Sequence, residues 1–456
     1  MLEATPKEIT ERKALVVNPA KTCQPVGAMY ASLGIHGCLP HSHGSQGCCS
    51  YHRSHLTRHY REPVMASTSS FTEGAAVFGG QPNLRQALKT IYQVYDPLVV
   101  AVHTTCLSET IGDDLNSILA KAKEEKIVPE GRYAFHTNTP SYVGSHVTGF
   151  ANLTRSALDH FAVGGERGEH LVLLPGYVEP SDMRHLKRLM KSLGVPAVVF
   201  PDTSDVLDTP QTGHYHMFPK GGTTVEELTK TGTARACLAL GRWASEPAAA
   251  LLGSKFGIPY QVLDLPLGIQ ATDRFMEAIM EFTGVQPPAE IVDDRGRLVD
   301  MLTDMQRYLY GKTVALWGDP DHLIPLTEFL VAAGMRPLHV LTGTPGKKFE
   351  LKIKGILKGV VPGANIKAAG DLLQMHQWIK NEPVDLMIGN SYGKYLSRAE
   401  DIPLVRLGWP ILDRIGHSYF PVLGYRGGMH FLSNLLNTLL DRLDRDAPDE
   451  SLELVL

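Results

Sequence analysis

LVVAVHTTC, residues 98–106, runs a block of apolar residues into a histidine, two threonines and a cysteine. Its apolar, largely β-branched start predicts a strand over Leu98–His103, and its threonines and cysteine fall where a parallel strand hands over to a loop. Working outward, comparable runs stand at Leu171–Pro175, Ala197–Phe200, Thr313–Trp317, Leu338–Leu341, Leu386–Ile388 and Leu404–Leu407, with amphipathic helical stretches between them. That alternation is the pattern of βαβ units around parallel sheets. The expected class is α/β: three doubly wound domains, each a mostly parallel sheet flanked by helices, with ligands gathered at the carboxyl ends of the strands.

A chain of 456 residues is too long for one core, because single cores stop growing near roughly 250–300 residues. Three blocks suggest themselves: 1–165, holding most of the cysteines and an N-terminal arm; 166–305, opening with HLVLLPGYVEP; and 306–456, opening close to KTVALWGDPD and ending in a helix. GGERGE at 164–169 and QPPAEIVDDRGR at 286–297 read as linkers, being Gly/Pro-rich or charged without periodicity.

With 43% hydrophobic and 20% charged residues and a net charge of −4, the chain has the composition of an ordinary globular protein and lacks the basic balance of a nucleic-acid or membrane-surface binder. Its first residues form no secretory signal, and no run of about eighteen apolar residues predicts a membrane span. A cytoplasmic protein whose partners are proteins or small molecules is expected. Two loops that follow apolar strands, GDPD at 318–321 and GNSYGK at 389–394, fit neither G-x-G-x-x-G nor the phosphate loop, so no nucleotide is assigned to them.

Six cysteines are too few for a disulfide framework in a chain of this length. Five of them, Cys23, Cys38, Cys48, Cys49 and Cys106, crowd the first quarter; Cys237 stands apart in the apolar run ACLALG. Cys23 precedes Pro25 by two residues in a predicted loop, Cys48 follows two glycines in GSQGCC, and Cys106 ends the opening strand. Cys38 and Cys237 read as small buried hydrophobes. A complete iron–sulfur cluster usually takes four thiolates from close runs such as C-x₂-C, and none is present. Cys48 and Cys49 diverge as neighbours, so the three isolated thiols Cys23, Cys48 and Cys106 are too few for a private cluster: either other ligands join them or a second chain completes the set. Inert buried thiols are the plainer reading. Zinc is a rival because His41, His43, His52, His55 and His59 lie nearby, but no matching H-x₃₋₅-H with C-x₂-C exists, and a cluster of surface histidines is the simpler account.

The segments KTCQPVGAMYASLGIHGCLPHSHGSQGCCSYHRSHLTRHYREP, STSSFTEGAAVFGG, TTCLSETIGDDL and HTNTPSYVGSHVTGF, followed by RGRLVDMLTD, ALWGDPDH, IGNSYGKYL and GWPILDR, resemble in order and over essentially the whole chain the nitrogenase molybdenum-iron protein beta-chain family. The short amino terminus resembles that of its clostridial-type members, which lack a long arm. The resemblance implies that Cys23, Cys48 and Cys106 hold half of an [8Fe-7S] P-cluster shared with the alpha chain of an alpha2beta2 heterotetramer, Cys48 bridging its halves. Ser141, by itself a turn hydroxyl, then matches a serine that binds an iron of the oxidised cluster. The implied activity is that of an oxidoreductase: an ATP-hydrolysing iron protein docks transiently, and electrons pass through the P-cluster to an iron–molybdenum cofactor in the alpha chain, where N₂ becomes ammonia.

Further residues carry over on the same ground. Phe78 matches a residue facing the iron protein, although alone it would read as a buried aromatic. Tyr51 matches an aromatic on the electron path, although a core tyrosine with a bonded hydroxyl is the plainer account. Arg61, Glu62, Asp300 and Asp304 match a calcium or iron site between two beta chains; the two aspartates, four apart, share a helix face, and without the resemblance all four are solvated charges. Two related readings compete. A cofactor-assembly scaffold departs from the full cysteine and serine set, which is present here, and vanadium or iron-only homologues usually carry HGGQGC where this chain has HGSQGC. An unrelated binding protein on a doubly wound fold with inert thiols is the alternative of a different class.

Overall fold

A computed structural model describes residues 4–9, 12 and 16–448 of the chain. The outermost residues of the first and third blocks therefore lie outside the described ones.

Among the described residues, thirteen strands form three sheets in which every pairing is parallel, as expected. The first holds β1 (Cys38–His43), β2 (Ser67–Thr68), β3 (Val99–Thr104) and β4 (Tyr133–Thr137) in the order β2-β1-β3-β4. The second holds β5 (Leu171–Leu174), β6 (Ala197–Val199), β7 (Ala236–Leu240) and β8 (Tyr260–Leu263) in the order β6-β5-β7-β8. The third holds β9 (Thr313–Gly318), β10 (Arg336–Thr342), β11 (Asn365–Lys367), β12 (Leu386–Gly389) and β13 (Leu404–Arg406) in the order β11-β10-β9-β12-β13. Each order reverses once, between β1 and β3, β5 and β7, and β9 and β12, the doubly wound signature that opens a crevice at the carboxyl ends of the central strands.

The strand expected at Leu98–His103 is β3, shifted by one residue, and all six of its residues are buried. It pairs with β1 from Cys38↔Val99 to His43↔Thr104, so the residues that follow these two strands emerge side by side. One contiguous apolar core runs through all three sheets, and a smaller one lies under the outer face of the first.

One expectation is corrected. The 286–297 stretch is a linker only as far as Pro288; from Ala289 to Asp304 it is a helix. Its buried Leu298 and Ile291 pack inward, and Asp294 is paired with Arg297 and with Arg426 of the C-terminal helix Gly424–Asp446, so tertiary contacts stabilise a segment whose charge obscured its periodicity. Arg12 forms a bidentate pair with Asp371 (2.7 and 2.8 Å), and Asn381 donates to the Lys7 carbonyl, which fastens the N-terminal arm to the third sheet's flank.

GDPD and GNSYGK have internal structural duties. Asp321 accepts from the Trp243 and Ala244 amides (3.1 and 3.0 Å), capping the helix Arg242–Phe256, and Asp319 pairs with His146 (3.0 Å). Asn390 accepts from Trp317 Nε1 (3.1 Å). These polar contacts stitch the three sheets together at their carboxyl ends.

Candidate functional site

Three helices begin beside one another past the carboxyl ends of β1 and β3, and each brings one cysteine. Cys23 is the N-cap of the helix Gln24–Leu33, with Pro25 in its first turn, where the missing N–H costs nothing. Cys48 stands in the first turn of the helix Gln46–Tyr60, which starts after β1 and Gly44. Cys106 is the first residue of the helix Cys106–Ile111, directly after β3. The positive ends of the two longer helices thus face thiol sulfurs, which favours thiolate there.

Cys48 lies close enough to Cys106, and Cys23 close enough to Cys48, for their charges to interact. Burial pushes both the Cys23 and Cys48 thiols up, and the neighbouring sulfur adds to the rise in each case. None of the three forms a disulfide; Cys106 is exposed, and Cys23 and Cys48 are half-buried. Three soft donors held together at an outward face fit a metal–sulfur cluster completed from outside the chain. Cys38 and Cys237 are buried as expected.

The scaffold behind the sulfurs rests on a helix crossing that sequence reading missed. The Cys23 helix packs on the helix His146–Phe161 through Gly27 and Gly149, where a Cβ would stand 1.7 Å from the His146 carbonyl oxygen and 1.9 Å from the Gln24 carbonyl oxygen. Such backbone-to-backbone approach excludes any side chain. Gln24, also missed and 2% exposed, donates from Nε2 to the carbonyls of Pro140 (3.1 Å) and Val143 (3.0 Å) and accepts from Asn152 Nδ2 (3.0 Å) at Oε1. It thereby clamps the loop that carries Ser141. The His146 amide donates to the Thr22 carbonyl, the Thr22 amide donates to His146 Nδ1, and Lys21 Nζ donates to the Gly144 carbonyl, and these bonds hold the same loop against Cys23.

The aromatic residues assigned from the resemblance stand on the surface. Phe78 is 90% exposed and Tyr51 73%, so neither is the core residue that a plain reading of each would give. Phe78 closes the short helix Glu73–Phe78, which touches the Cys106 helix. Tyr51 stands one turn beyond Cys48, and Tyr142 (66%) adjoins Ser141.

The histidines overturn their expectation as a surface cluster. His41, His43 and His59 are fully buried and His52 nearly so. Both faces of β1 are covered, and His52, Leu56 and His59 form the inner face of the Cys48 helix, so each imidazole had to find a partner inside. His43 bridges Ser69 (2.8 Å) and Asp113 (2.9 Å), His41 bridges Ser67 (2.9 Å) and Ser69 (2.8 Å), and His52 Nε2 lies 3.2 Å from Cys23 Sγ.

Arg61 and Glu62 end the Cys48 helix, Arg61 in the left-handed region at φ 63°, while Asp300 and Asp304 are exposed on the helix Ala289–Asp304. Among the described residues, Glu62, Asp300 and Asp304 do not form a metal-sized group within one chain.

Fold and cysteine face together define a class. The profile described as nitrogenase component 1 type oxidoreductase matches residues 23–440, and the chain belongs to that family. It is 52% identical, over the full length of both chains, to a nitrogenase molybdenum-iron protein beta chain of Clostridium pasteurianum. It is 41% identical to that of a Nostoc strain and 38% to that of Azotobacter vinelandii, covering 95% and 96% of this chain and 86% of each relative. Among solved structures, one titled nitrogenase Cp1 at pH 6.5 superposes over 100% of both chains with a TM-score of 0.99 at 52% identity. A second Cp1 chain, 18% identical with a TM-score of 0.71 over 97% of this chain and 92% of its own length, shares the fold alone.

Proposed function

We propose that the chain is the beta subunit of a nitrogenase molybdenum-iron protein and that Cys23, Cys48 and Cys106 supply its half of the ligands to an [8Fe-7S] P-cluster. The observation that carries this reading is the convergence of the three thiols at one outward face, in a chain that matches a molybdenum-iron protein beta chain end to end. An exposed, incomplete set calls for a second chain with its own thiolates, the alpha subunit, in an alpha2beta2 assembly. When bound, such a cluster supplies one-electron transfer between the iron protein and the iron–molybdenum cofactor of the alpha chain, where N₂ is reduced.

The chain's own residues hold and orient. Gln24 and the Gly27–Gly149 crossing fix Cys23 relative to Ser141, whose hydroxyl is offered to an iron of the oxidised cluster as a hard oxygen ligand. His52 at the Cys23 sulfur tunes that thiolate from behind. Phe78 is the apolar contact for the ATP-hydrolysing iron protein, supported by its exposure, and Tyr51 lies on the electron path. Arg61 through its carbonyl, with Glu62, Asp300 and Asp304, binds calcium or iron between two beta chains; their exposure or partial exposure leaves them free to face a second copy. A cytoplasmic location accompanies this reading; no helix of the described residues is long and apolar enough to cross a membrane.

The test is anaerobic purification of the assembled complex with iron analysis and electron paramagnetic resonance of its oxidised state. A brown complex whose cluster signal disappears in Cys48→Ala is expected. A wild-type preparation free of iron from iron-replete cells would refute the proposal.

A further inference from the structure

A cavity of about 550 Å³ lies away from the cysteine face, where the carboxyl ends of the second and third sheets meet. Tyr177 and Glu179 follow β5, Leu404–Arg406 is β13 itself, and Phe431 and Asn434 of the C-terminal helix close the far side. Strand carboxyl ends are where doubly wound folds hold ligands, and the volume is within the range of about 300–1,000 Å³ typical of small-molecule sites.

Charge on its wall is unbalanced. Glu179 is approached by His59 Nε2 at 2.9 and 3.1 Å, and Asp182 accepts from the Val422 and Leu423 amides at 2.8 and 3.0 Å; neither meets a lysine or arginine among the described residues. Burial holds His322 and His417 below the ordinary histidine range. The arginines at the cavity, Arg406 and Arg414, are both turned to Asp413. Burial pushes the Glu179 and Asp182 carboxyls up to about 7, as expected of acids without a cation.

Four buried polar atoms of lining residues have no partner among the described residues: the Tyr177 hydroxyl, Trp409 Nε1, His322 Nδ1 and His417 Nδ1. Tyr177 is 4% exposed, and its hydroxyl can accept from a ligand, whereas Trp409 Nε1 only donates and contributes its ring face. His417 donates from Nε2 to the His59 carbonyl at 3.0 Å, which leaves a lone pair on Nδ1. The Tyr177 and Trp409 rings stand 6.5 Å apart and nearly perpendicular, forming an aromatic corner.

His59, Glu179 and His417 bring ligand atoms within 4.8 Å of one another, which raises the question of a metal. His59 answers it: Nδ1 accepts from the Ile411 amide at 2.8 Å, so in the neutral ring Nε2 carries the proton and has no lone pair to give. What is left is a pair of acceptors, carboxylate and imidazole, beside aromatic faces.

We propose that this cavity binds a small organic monocation of the alkylammonium type, its N–H groups donating to Glu179 and to His417 Nδ1 and its carbon skeleton lying against Tyr177 and Trp409. The site is independent of the cluster reading, and its test does not depend on activity. Saturation-transfer NMR on the purified intact complex uses ethylammonium chloride as probe, with sodium propionate and 1-propanol as anionic and neutral analogues of similar size. Saturable binding of ethylammonium alone is expected, weakened about tenfold or more in Glu179→Gln. Should Glu179→Gln fail to fold, Asn434→Phe, which fills the cavity from an exposed helix position, should abolish the saturable signal. Equal binding of propionate or 1-propanol, no saturable ethylammonium binding by the wild type, or binding unchanged in the variants would overturn the proposal.

Discussion

Replacing Gln24 tests whether the clamp on the Ser141 loop is what the geometry makes it. Gln24→Leu keeps most of the volume and removes three buried hydrogen bonds. The Pro140 carbonyl retains the Val143 amide at 3.4 Å, so the loss falls on the Val143 carbonyl and on Asn152. At about 1 kcal/mol for each lost bond, with the penalty of a carbonyl left unpaired, the loop should be loosened by about 2–3 kcal/mol. Gln24→Glu preserves the shape and the bond from Asn152 but replaces the donor with a carboxylate oxygen facing two carbonyls, so it should be at least as damaging. Hydrogen–deuterium exchange of residues 139–146 in the intact complex reads the loop directly, and the loss corresponds to exchange faster by roughly 30- to 150-fold. Unchanged protection in both variants would refute the clamp, whatever their activity.

Other consequences are equally concrete. Gly149→Ala should lower the apparent Tm of the complex and its iron content together, because the new Cβ meets the Gln24 carbonyl at 1.9 Å and overpacking of about 1–3 kcal/mol outweighs the helix-propensity gain; Gly296→Ala, also helical but with open space around it, should be neutral or stabilising. Ser141→Ala should shift the redox titration and resonance of the oxidised cluster and leave the reduced state as it was; identical titrations would count against an oxygen ligand. Asp321, whose carboxyl burial pushes up to about 7, holds a proton in the folded chain between about pH 4 and 7 that the unfolded chain has already released. Its contribution to stability therefore falls as pH rises through that window, and Asp321→Asn should flatten this part of the pH dependence of the apparent Tm; a parallel profile would exclude it.

Much of the fold was legible because buried parallel strands announce themselves as uninterrupted apolar runs, and each such run, β3 and β9 among them, is a strand. β1 was not. CLPHSH carries a proline, two histidines and a serine, yet it lies beside β3 in the middle of the first sheet, with β2 too short to pair opposite Pro40 and with the histidines satisfied by serines and Asp113. Polar composition hid a core strand because the partners that make its burial tolerable lie up to seventy residues away. The same long-range logic hid the helix after Pro288, whose charges find Arg426, and the burial of the histidines.

The site was legible in a different measure. Spacing alone left three scattered thiols, and only resemblance tied them together; the structure adds that β1 and β3 are neighbours at the switch point, which is why residues 48 and 106 meet. Gln24, Gly27 and Gly149 left no readable mark, since a polar residue in a first helical turn and two helical glycines acquire meaning only when the second helix is in place.

Whether the three cysteines hold one shared cluster is decided by the iron content of the anaerobically purified complex, compared between wild type and Cys23→Ala, Cys48→Ala and Cys106→Ala. If the three thiols are one half of a shared cluster, each substitution should remove or convert the same iron and alter the same oxidised-state resonance while the complex stays assembled. Full iron and an unaltered resonance in any of the three would contradict the assignment of that cysteine, and in all three would contradict the account.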